Sequence, residues 1–419
     1  MRILFISHLY PSSIEPDGAP YNRQLLKAIS EIAAVRVIAP IFRSIVPFLC
    51  RKKQLPPVEE RIDDIIVMHP RIRYLPGLFI HKHWQLYYRA IEPFFDDCID
   101  DVKPDHVIAG FAYPDGLAVC RLCEERNLKW SLRVNGSDIK VRMEQDLFKP
   151  LIMQAINKAI YVFCPGDHFK KVLIEYGVQP HKIRVFYNGV DSKKFYVGDK
   201  RSALRILSQK FELMPIDLET KIFLCIGNHE FVKGQDRLLK AWEKFLAFSS
   251  EDENAMLVFA GEGSQTKNLK KFVGKSVFKS SVFFAGRVSH DDIPLWLNIA
   301  DVLCLPSRSE GMPNVVMEAL ACGVPVVATD VGETANIIKE GENGFVVTGM
   351  EEEFPERFAK AMRDAVEKRW DKKKIRMTVI GKTWEDAARV FINTLKSHEI
   401  SALSAEAEKE DGIKSDSNE

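Results

Sequence analysis

Short runs of β-branched and apolar residues alternate with stretches of helical period along most of this chain. Such alternation is typical of parallel sheets covered by helices. The first half predicts strands at 2–7, 35–39, 105–109, 129–134, 159–164 and 183–187, with helices at 21–33, 84–100, 114–126 and 167–176. The second half predicts strands at 221–226, 255–260, 281–285, 301–305, 324–328 and 344–347, with helices near 236–248, 290–299, 314–321 and 354–369.

The two series predict two domains, because 419 residues exceed what one hydrophobic core usually serves. We expect an α/β fold of two Rossmann-like doubly wound domains, 1–190 and 191–380, facing each other across a cleft. Ligands of such sheets bind beyond the carboxyl ends of the strands. Residues 381–398 are expected to form a helix that packs back on the first domain, and 399–419 a disordered acidic tail.

Composition excludes several classes of protein. The net charge of +1 gives no reason to expect nucleic acid as a partner. No apolar run approaches the roughly 20 residues that span a bilayer, and the first run is too short for a signal peptide, so we expect a cytosolic chain. Cys120 and Cys123 form a CxxC pair with no second pair and no histidine at ligand spacing, which favours packed thiols over a metal or redox site.

The strongest chemical signal is the run Pro306-Ser307-Arg308-Ser309-Glu310-Gly311-Met312-Pro313-Asn314-Val315-Val316-Met317-Glu318-Ala319, after the strand 301–305. It predicts a loop and then a helix opened by Pro313, whose N-terminus suits a diphosphate. At a rise of ~1.5 Å per residue, Glu310 and Glu318 lie roughly 10 Å apart, a span that suits a sugar at one end and a ribose at the other. A capped helix with incidental acids is the alternative.

This run resembles the signature of retaining glycosyltransferase family four (group 1 glycosyltransferases), whose motif has two glutamates separated by seven residues. Members of the bacterial exopolysaccharide and teichuronic-acid type are similar. The similarity extends to Asn188-Gly189-Val190-Asp191 with Phe195, Phe284-Ala285-Gly286-Arg287, Ala321-Cys322-Gly323-Val324-Pro325-Val326-Val327-Ala328-Thr329 and Glu340-Gly341-Glu342-Asn343-Gly344. The resemblance implies a GT-B type fold and transfer of a sugar from a nucleoside-diphosphate sugar to a hydroxyl acceptor.

The resemblance also implies site residues. Glu318 would hold the donor ribose and Glu310 the transferred sugar, while Gly311, Met312, Pro313, Asn314 and Val315 would bind sugar and phosphate. In Gly227-Asn228-His229-Glu230-Phe231-Val232-Lys233-Gly234, Lys233 matches a family cation, but Asn228 replaces an arginine, for which His229 is a candidate substitute and otherwise structural. Lys233 and Glu310 are thus the predicted catalytic residues. Gly18 is expected near the donor phosphates, and Arg287 and Val288 near the base.

Three residues are predicted on the acceptor side. Asp115 lies in Tyr113-Pro114-Asp115-Gly116, and Asn135 and Asp138 lie in Val134-Asn135-Gly136-Ser137-Asp138. Turn and capping roles are the alternative for both aspartates. Many relatives carry a histidine or arginine where this chain has Asn135. His8, at the end of the first strand, is expected to be structural.

Residues 41–91 contain nine Lys/Arg against four Asp/Glu, interleaved with aromatic residues. This pattern predicts affinity for an anionic membrane surface, at ~1 kcal/mol per basic residue near the lipid. An ordinary helix with packed aromatics is the alternative. The acceptor would then be a lipid-linked glycan in cell-surface polysaccharide synthesis, made by an enzyme peripheral to the inner face of the membrane.

No Asp-x-Asp follows a strand, so we predict no metal, and no cofactor beyond the nucleotide sugar as co-substrate. We expect a retaining transferase. Two other functions stay open. One is a sugar-nucleotide epimerase on the same architecture. The other is a catalytically weak nucleotide-sugar-binding subunit, which Asn228 and Asn135 keep open.

Overall fold

A computed structural model describes residues 1–46, 54–211, 216–247 and 254–397. The chain divides into two compact units. Unit 1 comprises Met1–Pro165, Val172–Tyr187 and the segment from Trp384 onward. Unit 2 comprises Gly166–Lys171 and Asn188–Thr383.

Unit 1 is built on an eight-stranded sheet. Its strands and a separate two-stranded ladder are β1 (Arg2–Ile6), β2 (Ala34–Ile38), β3 (Ile41–Ser44), β4 (Glu59–Ile62), β5 (Ile65–Met68), β6 (Arg71–Tyr74), β7 (His106–Ala109), β8 (Trp130–Arg133), β9 (Val162–Cys164) and β10 (Ile183–Val185). The helices are α1 (Pro20–Ser30), α2 (His83–Val102), α3 (Leu117–Glu125), α4 (Ser137–Lys140), α5 (Lys149–Lys158) and α6 (Asp167–Glu175), the last beginning among the residues grouped with unit 2.

The order of the large sheet is β10-β9-β8-β7-β1-β2-β5-β4. All neighbours are parallel except β4, which runs antiparallel to β5 at the edge. Ile3 to Ile6 of β1 are buried because helices cover both faces of a doubly wound sheet. Chain order reverses between β1 and β7, so the residues that follow these two strands lie at the switch point of unit 1.

The strands β3 to β6 were not predicted, because residues 41–91 were interpreted by their basic charge. Ile62 pairs with Ile65 across a two-residue turn, and its residues Asp63 and Asp64 have φ of 49° and 63°. Positive φ at both central residues is the type I′ hairpin turn, whose twist matches the flanking strands. In β6, Ile72 is buried and Arg73 is exposed, so this segment alternates with the period of a strand.

Unit 2 is built on a six-stranded parallel sheet of order β13-β12-β11-β14-β15-β16. Its strands are β11 (Lys221–Ile226), β12 (Ala255–Ala260), β13 (Val282–Gly286), β14 (Val302–Leu305), β15 (Val326–Thr329) and β16 (Gly344–Val347). In order of appearance this is 3-2-1-4-5-6, the Rossmann order. The switch point therefore lies between the carboxyl ends of β11 and β14.

The helices of unit 2 are α7 (Lys200–Lys210), α8 (Gln235–Ala247), α9 (Thr266–Gly274), α10 (Ile293–Ile299), α11 (Asn314–Ala321), α12 (Thr334–Ile337), α13 (Phe354–Glu367) and α14 (Lys372–Met377). The helix α7 was not predicted; it lies in the charged stretch 193–220. Asp199 caps it by accepting a hydrogen bond from the Ser202 amide at 2.8 Å. On α8, Trp242 stacks on Phe245 at 5.1 Å and both are fully buried.

Residues 384–397 form a last helix, α15. Trp384, Phe391 and Leu395 are buried in a hydrophobic cluster of unit 1, where Phe391 stacks on Phe163 at 4.1 Å. The predicted tail, 399–419, lies outside the described residues. Within the described part of the chain, no helix has the length and apolar character needed to cross a bilayer.

Candidate active site

The helix α11 begins at the switch point of unit 2. Asn314 is its first residue and Val315 the second. Pro313 was expected to open the helix but is its N-cap, with φ −77° and ψ 100°, so the helix begins one residue later than expected. No side chain caps this N-terminus, so it offers N–H groups to an anion. Asn188 fixes the approach: its amide N lies 3.0 Å from Met312 Sδ and its Nδ2 donates to Asn314 Oδ1 at 2.8 Å.

The two predicted catalytic residues meet at this point. Lys233 Nζ lies 2.9 Å from each carboxylate oxygen of Glu310, and Ser307 Oγ donates to Glu310 Oε1 at 2.5 Å. The Glu310 side chain is 7% exposed and that of Lys233 is 34% exposed. The loops after β11 and β14 thus place a cation and a buried carboxylate beside the start of α11.

Gly234 allows these two loops to approach each other. Its φ is 70°, and a Cβ atom there would lie 2.0 Å from the Pro306 carbonyl oxygen. The next turn adds Arg237, which is buried and donates from Nε to Pro306 O at 2.7 Å and from Nη2 to Ser307 O at 2.6 Å. Thr329 Oγ1 donates to the same Ser307 carbonyl at 2.5 Å. These three hydrogen bonds hold the backbone of the loop that carries Glu310.

Arg308, inside the signature run, is fixed away from that pair. Its guanidinium lies 4.0 Å from the Phe231 ring centroid and donates two hydrogen bonds of 2.7 Å to Asp236. A further bond of 2.8 Å reaches Glu351. Arg308 therefore ties the loop to α8 and to the residues before α13, a structural role.

The loop after β15 also reaches the signature run. The Glu333 amide donates to Gly311 O at 3.1 Å. Gly332 has a φ of 62°, and a Cβ there would lie 2.3 Å from the same carbonyl. Gly311 is thus held in place by a neighbouring loop whose close approach requires a glycine.

Glu318 lies inside α11 and is paired with a histidine. Its Oε1 is 3.0 Å from His290 Nε2, and its side chain is 12% exposed. His290 Nδ1 is 2.8 Å from Lys194 Nζ, and its ring meets Phe195 edge-on at 5.6 Å.

The position of the missing family arginine is an exposed turn. Gly227, with a φ of 149°, directly follows β11, and Asn228 comes next on the surface. His229 is 1% exposed, with Nδ1 2.9 Å from Thr266 Oγ1 and its ring against Phe259. Burial lowers the pKa of His229, which disfavours the imidazolium form. His229 therefore has the structural role, and it does not replace the arginine.

Arg287 and Val288 follow β13, at the same edge of the sheet. Arg287 lies on the wall of a cavity of about 660 Å³. The other lining residues are Glu262, Gly263, Ser264, Thr266, Lys267 and Lys270. This cavity supplies three cations and one carboxylate beyond β12 and β13, whereas the Lys233–Glu310 pair lies beyond β11 and β14.

The switch point of unit 1 holds a second polar pair. Asp115 is fully buried, and its Oδ1 lies 2.7 Å from His8 Nδ1 while Oδ2 accepts from the His8 amide at 3.2 Å. The His8 side chain is 21% exposed. His8, expected to be structural, is thus the solvent-facing member of a His–Asp pair.

Asp138 and Asn135, predicted on the acceptor side, bind backbone instead. Asp138 is fully buried and accepts from the amides of Ala112, Asn135 and Gly136 at 3.1, 3.0 and 2.9 Å. Burial raises the pKa of its carboxyl group. Asn135 Nδ2 donates to Gly110 O at 2.7 Å. The structure therefore favours the turn and capping role for Asp138, and Asn135 has the same kind of role.

Two other predicted features lie elsewhere in unit 1. The amide of Gly18 donates to Glu15 O at 3.1 Å in a tight turn, and its role near donor phosphates stays a prediction. Cys120 and Cys123 are buried in α3, and burial raises the pKa of the Cys120 thiol to about 11, as a packed thiol requires. Among the described residues, no group of three or more His, Cys, Asp or Glu could hold a metal ion.

Two family models match the chain, one after the other. The model of Glycosyltransferase Family 4 matches residues 45–194, and that of Glycosyl transferases group 1 matches residues 209–384. This chain belongs to the group 1, family 4 glycosyltransferases.

A relative of similar length is the putative teichuronic acid biosynthesis glycosyltransferase TuaC of Bacillus subtilis (strain 168). It is 27% identical over 351 residues, which are 80% of this chain and 83% of the relative. Sucrose-phosphate synthase from Thermosynechococcus elongatus has a TM-score of 0.76 at 17% identity and covers 96% of this chain and 100% of its own. Anabaena HepE in complex with UDP and glucose has a TM-score of 0.69 at 17% identity, with coverage of 95% and 100%. The expected GT-B type fold is confirmed.

Sequence reasoning named Lys233, Glu310 and Glu318 of this glycosyltransferase but missed the residues that hold them. Arg237 and Thr329 position the Glu310 loop, and His290 contacts Glu318. Nothing local marks Arg237, which has the spacing of an ordinary charged residue on a helix. Ser307 lies within the signature run, but its hydrogen bond to Glu310 was not predicted.

Proposed function

We propose that this glycosyltransferase binds a nucleoside-diphosphate sugar at the switch point of unit 2 and transfers the sugar with retention of its anomeric configuration. The observation that carries this is the Lys233–Glu310 pair beside the uncapped start of α11. A carboxylate accepts hydrogen bonds from sugar hydroxyls, and an ammonium and a helix N-terminus attract a diphosphate. The solved relative HepE holds UDP and glucose, which makes UDP-sugars the first donors to test.

The charges fit the chemistry of the transfer. When the bond between the anomeric carbon and the diphosphate oxygen breaks, negative charge grows on the diphosphate. Lys233 and the amides at the start of α11 would stabilise that charge, the work that a metal ion does in other transferases. The acceptor oxygen attacks from the face that the diphosphate leaves, through an oxocarbenium-like state. Its proton passes to the departing diphosphate oxygen, so the step needs no covalent intermediate.

A donor screen and a transfer assay test this assignment. We expect one nucleoside diphosphate among UDP, GDP and ADP, and its sugar, to raise the melting temperature, and NMR of the product to show the donor's anomeric configuration. Glu310→Gln should reduce turnover by about 100-fold or more. A product of inverted configuration would contradict the retaining mechanism. Wild-type turnover in Glu310→Gln would contradict the site.

We propose a lipid-linked glycan as the acceptor, for cell-surface polysaccharide, and an anionic membrane as the docking surface. The name of the Bacillus subtilis relative supports the product class. Leu78, Phe79 and Ile80 are 51%, 66% and 40% exposed, and Lys82 lies next to them with Nζ 5.7 Å from the Phe79 ring. An exposed apolar tip with basic neighbours suits the interface of an anionic bilayer.

The aromatic residues of α2 do not belong to the proposed membrane-docking surface. Tyr87 is fully buried, and Tyr88 donates its hydroxyl to Glu92 or Glu125, each 2.6 Å away. The helix therefore fits the packed alternative, and residues 78–82 carry the membrane proposal. Vesicles of anionic lipid should bind the wild type more tightly than Phe79→Ser, whereas neutral vesicles should bind neither. Equal binding to both vesicle types would contradict the proposal.

A catalytically weak subunit is the second candidate, and one observation favours it. Asn228 is exposed and His229 is buried, so neither supplies the second cation that the family motif places there. Thermal stabilisation by the donor, with neither transfer nor hydrolysis, would support this candidate over the transferase.

A further inference from the structure

The ring of His290 is fixed on three sides. Lys194 Nζ lies 2.8 Å from its Nδ1, Glu318 Oε1 lies 3.0 Å from its Nε2, and Phe195 meets it edge-on at 5.6 Å. The side chains of His290 and Lys194 are 17% and 21% exposed, and that of Glu318 is 12% exposed. A side chain held in this way has little freedom to turn.

The contacts assign the proton on the imidazole. An ammonium group has donors and no acceptor, so Lys194 must donate to Nδ1. Nδ1 can accept only if it carries no proton, and the ring proton therefore sits on Nε2. Nε2–H then donates to Glu318, because a carboxylate is an acceptor. The order Lys194, His290, Glu318 is thus a directed chain of hydrogen bonds.

Lys194 and His290 lie on segments that are held by hydrogen bonds to neighbouring carboxylates. Asp191 accepts from the amides of Lys193 and Lys194 at 3.0 and 3.1 Å, which fixes the turn that presents Lys194. Asp292 accepts from Ser289 Oγ at 2.8 Å and from Lys210 Nζ at 2.5 and 2.7 Å, which fixes the loop that presents His290. Several polar residues thus hold the imidazole of His290 against Glu318.

We propose that His290, oriented by Lys194, is a positioning residue that aims the Glu318 carboxylate at the hydroxyls of the donor ribose. This inference rests on the proposed ribose role of Glu318. By holding Oε1, the imidazole fixes the rotation of the carboxylate and turns Oε2 toward the ligand. Preorganised acceptors gain affinity because less side-chain freedom is lost on binding.

The readout is how far binding depends on the ribose hydroxyls. Of UDP, GDP and ADP, the nucleotide that binds most tightly is compared with its 2′,3′-dideoxy form by calorimetry. In the wild type the dideoxy form should bind about 10-fold or more weakly, as expected for lost hydrogen bonds to a charged group. His290→Ala should reduce this ratio to about 3-fold or less, with a higher KM for the donor sugar and little change in kcat.

Three variants control this measurement. His290→Gln can place an amide N–H near Glu318 and should restore most of the ratio. Lys194→Met should lower the ratio, whereas the exposed neighbour change Lys193→Met should not. If His290→Ala fails to fold, the Gln and Met variants decide the matter. An unchanged ratio in Lys194→Met together with a lost ratio in His290→Gln would overturn the proposal.

Glu318→Gln distinguishes failure of the positioning role of His290 from failure of the proposed function. A lost ratio in Glu318→Gln with a wild-type ratio in His290→Ala would refute the positioning role alone. A wild-type ratio in Glu318→Gln would remove the ribose role, and the inference with it. Absence of binding by all three nucleotides would overturn both.

Discussion

Replacing Gly234 by alanine would test whether the close approach of the two site loops matters for catalysis. The backbone there has φ of 70°, a conformation that costs an alanine about 1–2 kcal/mol. The new Cβ would also lie 2.0 Å from Pro306 O, so the loops must separate by more than 1 Å to reach an ordinary van der Waals contact of 3.4 Å or more. That movement displaces the loop that carries Glu310. A misplacement of about 1 Å can cost about 100-fold in rate.

Gly177→Ala is the matched control, because Gly177 has φ of 86° and nothing within 4 Å of its Cβ position. It carries the backbone strain without the clash. In a unit of this size, each kcal/mol of backbone strain should lower the melting temperature of both variants by about 2–4 °C. Only Gly234→Ala should lose about 100-fold in kcat/KM, measured by release of the nucleoside diphosphate from the best donor of the screen. Full activity in a folded Gly234→Ala, or an equal loss in Gly177→Ala, would refute the reasoning.

Three further predictions concern charge. Lys233→Met should lower kcat by about 100-fold or more and destabilise the fold by about 1–3 kcal/mol, because it removes the ammonium beside the buried Glu310 carboxylate, which keeps the hydrogen bond from Ser307; kinetics and urea unfolding measure the two losses, and Lys193→Met is the control. His229→Gln should flatten the fall of melting temperature below pH ~6.5, since a buried histidine with a lowered pKa loses stability as the pH falls and the unfolded state binds the proton; an unchanged slope would contradict this. Transfer should continue at the same rate after EDTA treatment and dialysis, and a rate that only added Mg²⁺ or Mn²⁺ restores would refute metal independence.

The fold of unit 2 could be predicted from the sequence because its strands are covered on both faces. Strands such as β12, with every residue buried, form unbroken apolar runs that need no information about their neighbours. Strands β4 and β6 of unit 1 differ, because each keeps one face polar. The charges of Arg61, Arg71 and Arg73 drew the prediction to the net basic charge of the segment and away from its strand period.

The candidate site was predictable to the extent that motifs mark it. The spacing of Glu310 and Glu318, and the Lys-Gly pair, identified groups that the fold brings to one edge of the sheet. Their supports come from positions far along the chain. Arg237 contacts Ser307 across 70 residues, and Lys194 contacts His290 across 96. Pairing at such separation depends on the strand order, which no local pattern contains.

The same contacts hold the charged groups of the site in place. Lys233 and Glu310 neutralise each other, and His290 occupies one oxygen of Glu318, so neither carboxylate stands alone in a partly buried site. Under the proposed function, a diphosphate would draw Lys233 toward itself, and that movement would free Glu310 for the sugar hydroxyls. Under the same proposal Glu318 would need no such exchange, because His290 Nε2 could keep its hydrogen bond to Oε1 while Oε2 accepts from the ribose. The two acids would therefore bind the donor in different ways. Glu310 would exchange Lys233 for the sugar hydroxyls, whereas Glu318 would bind the ribose in the orientation that His290 already gives it.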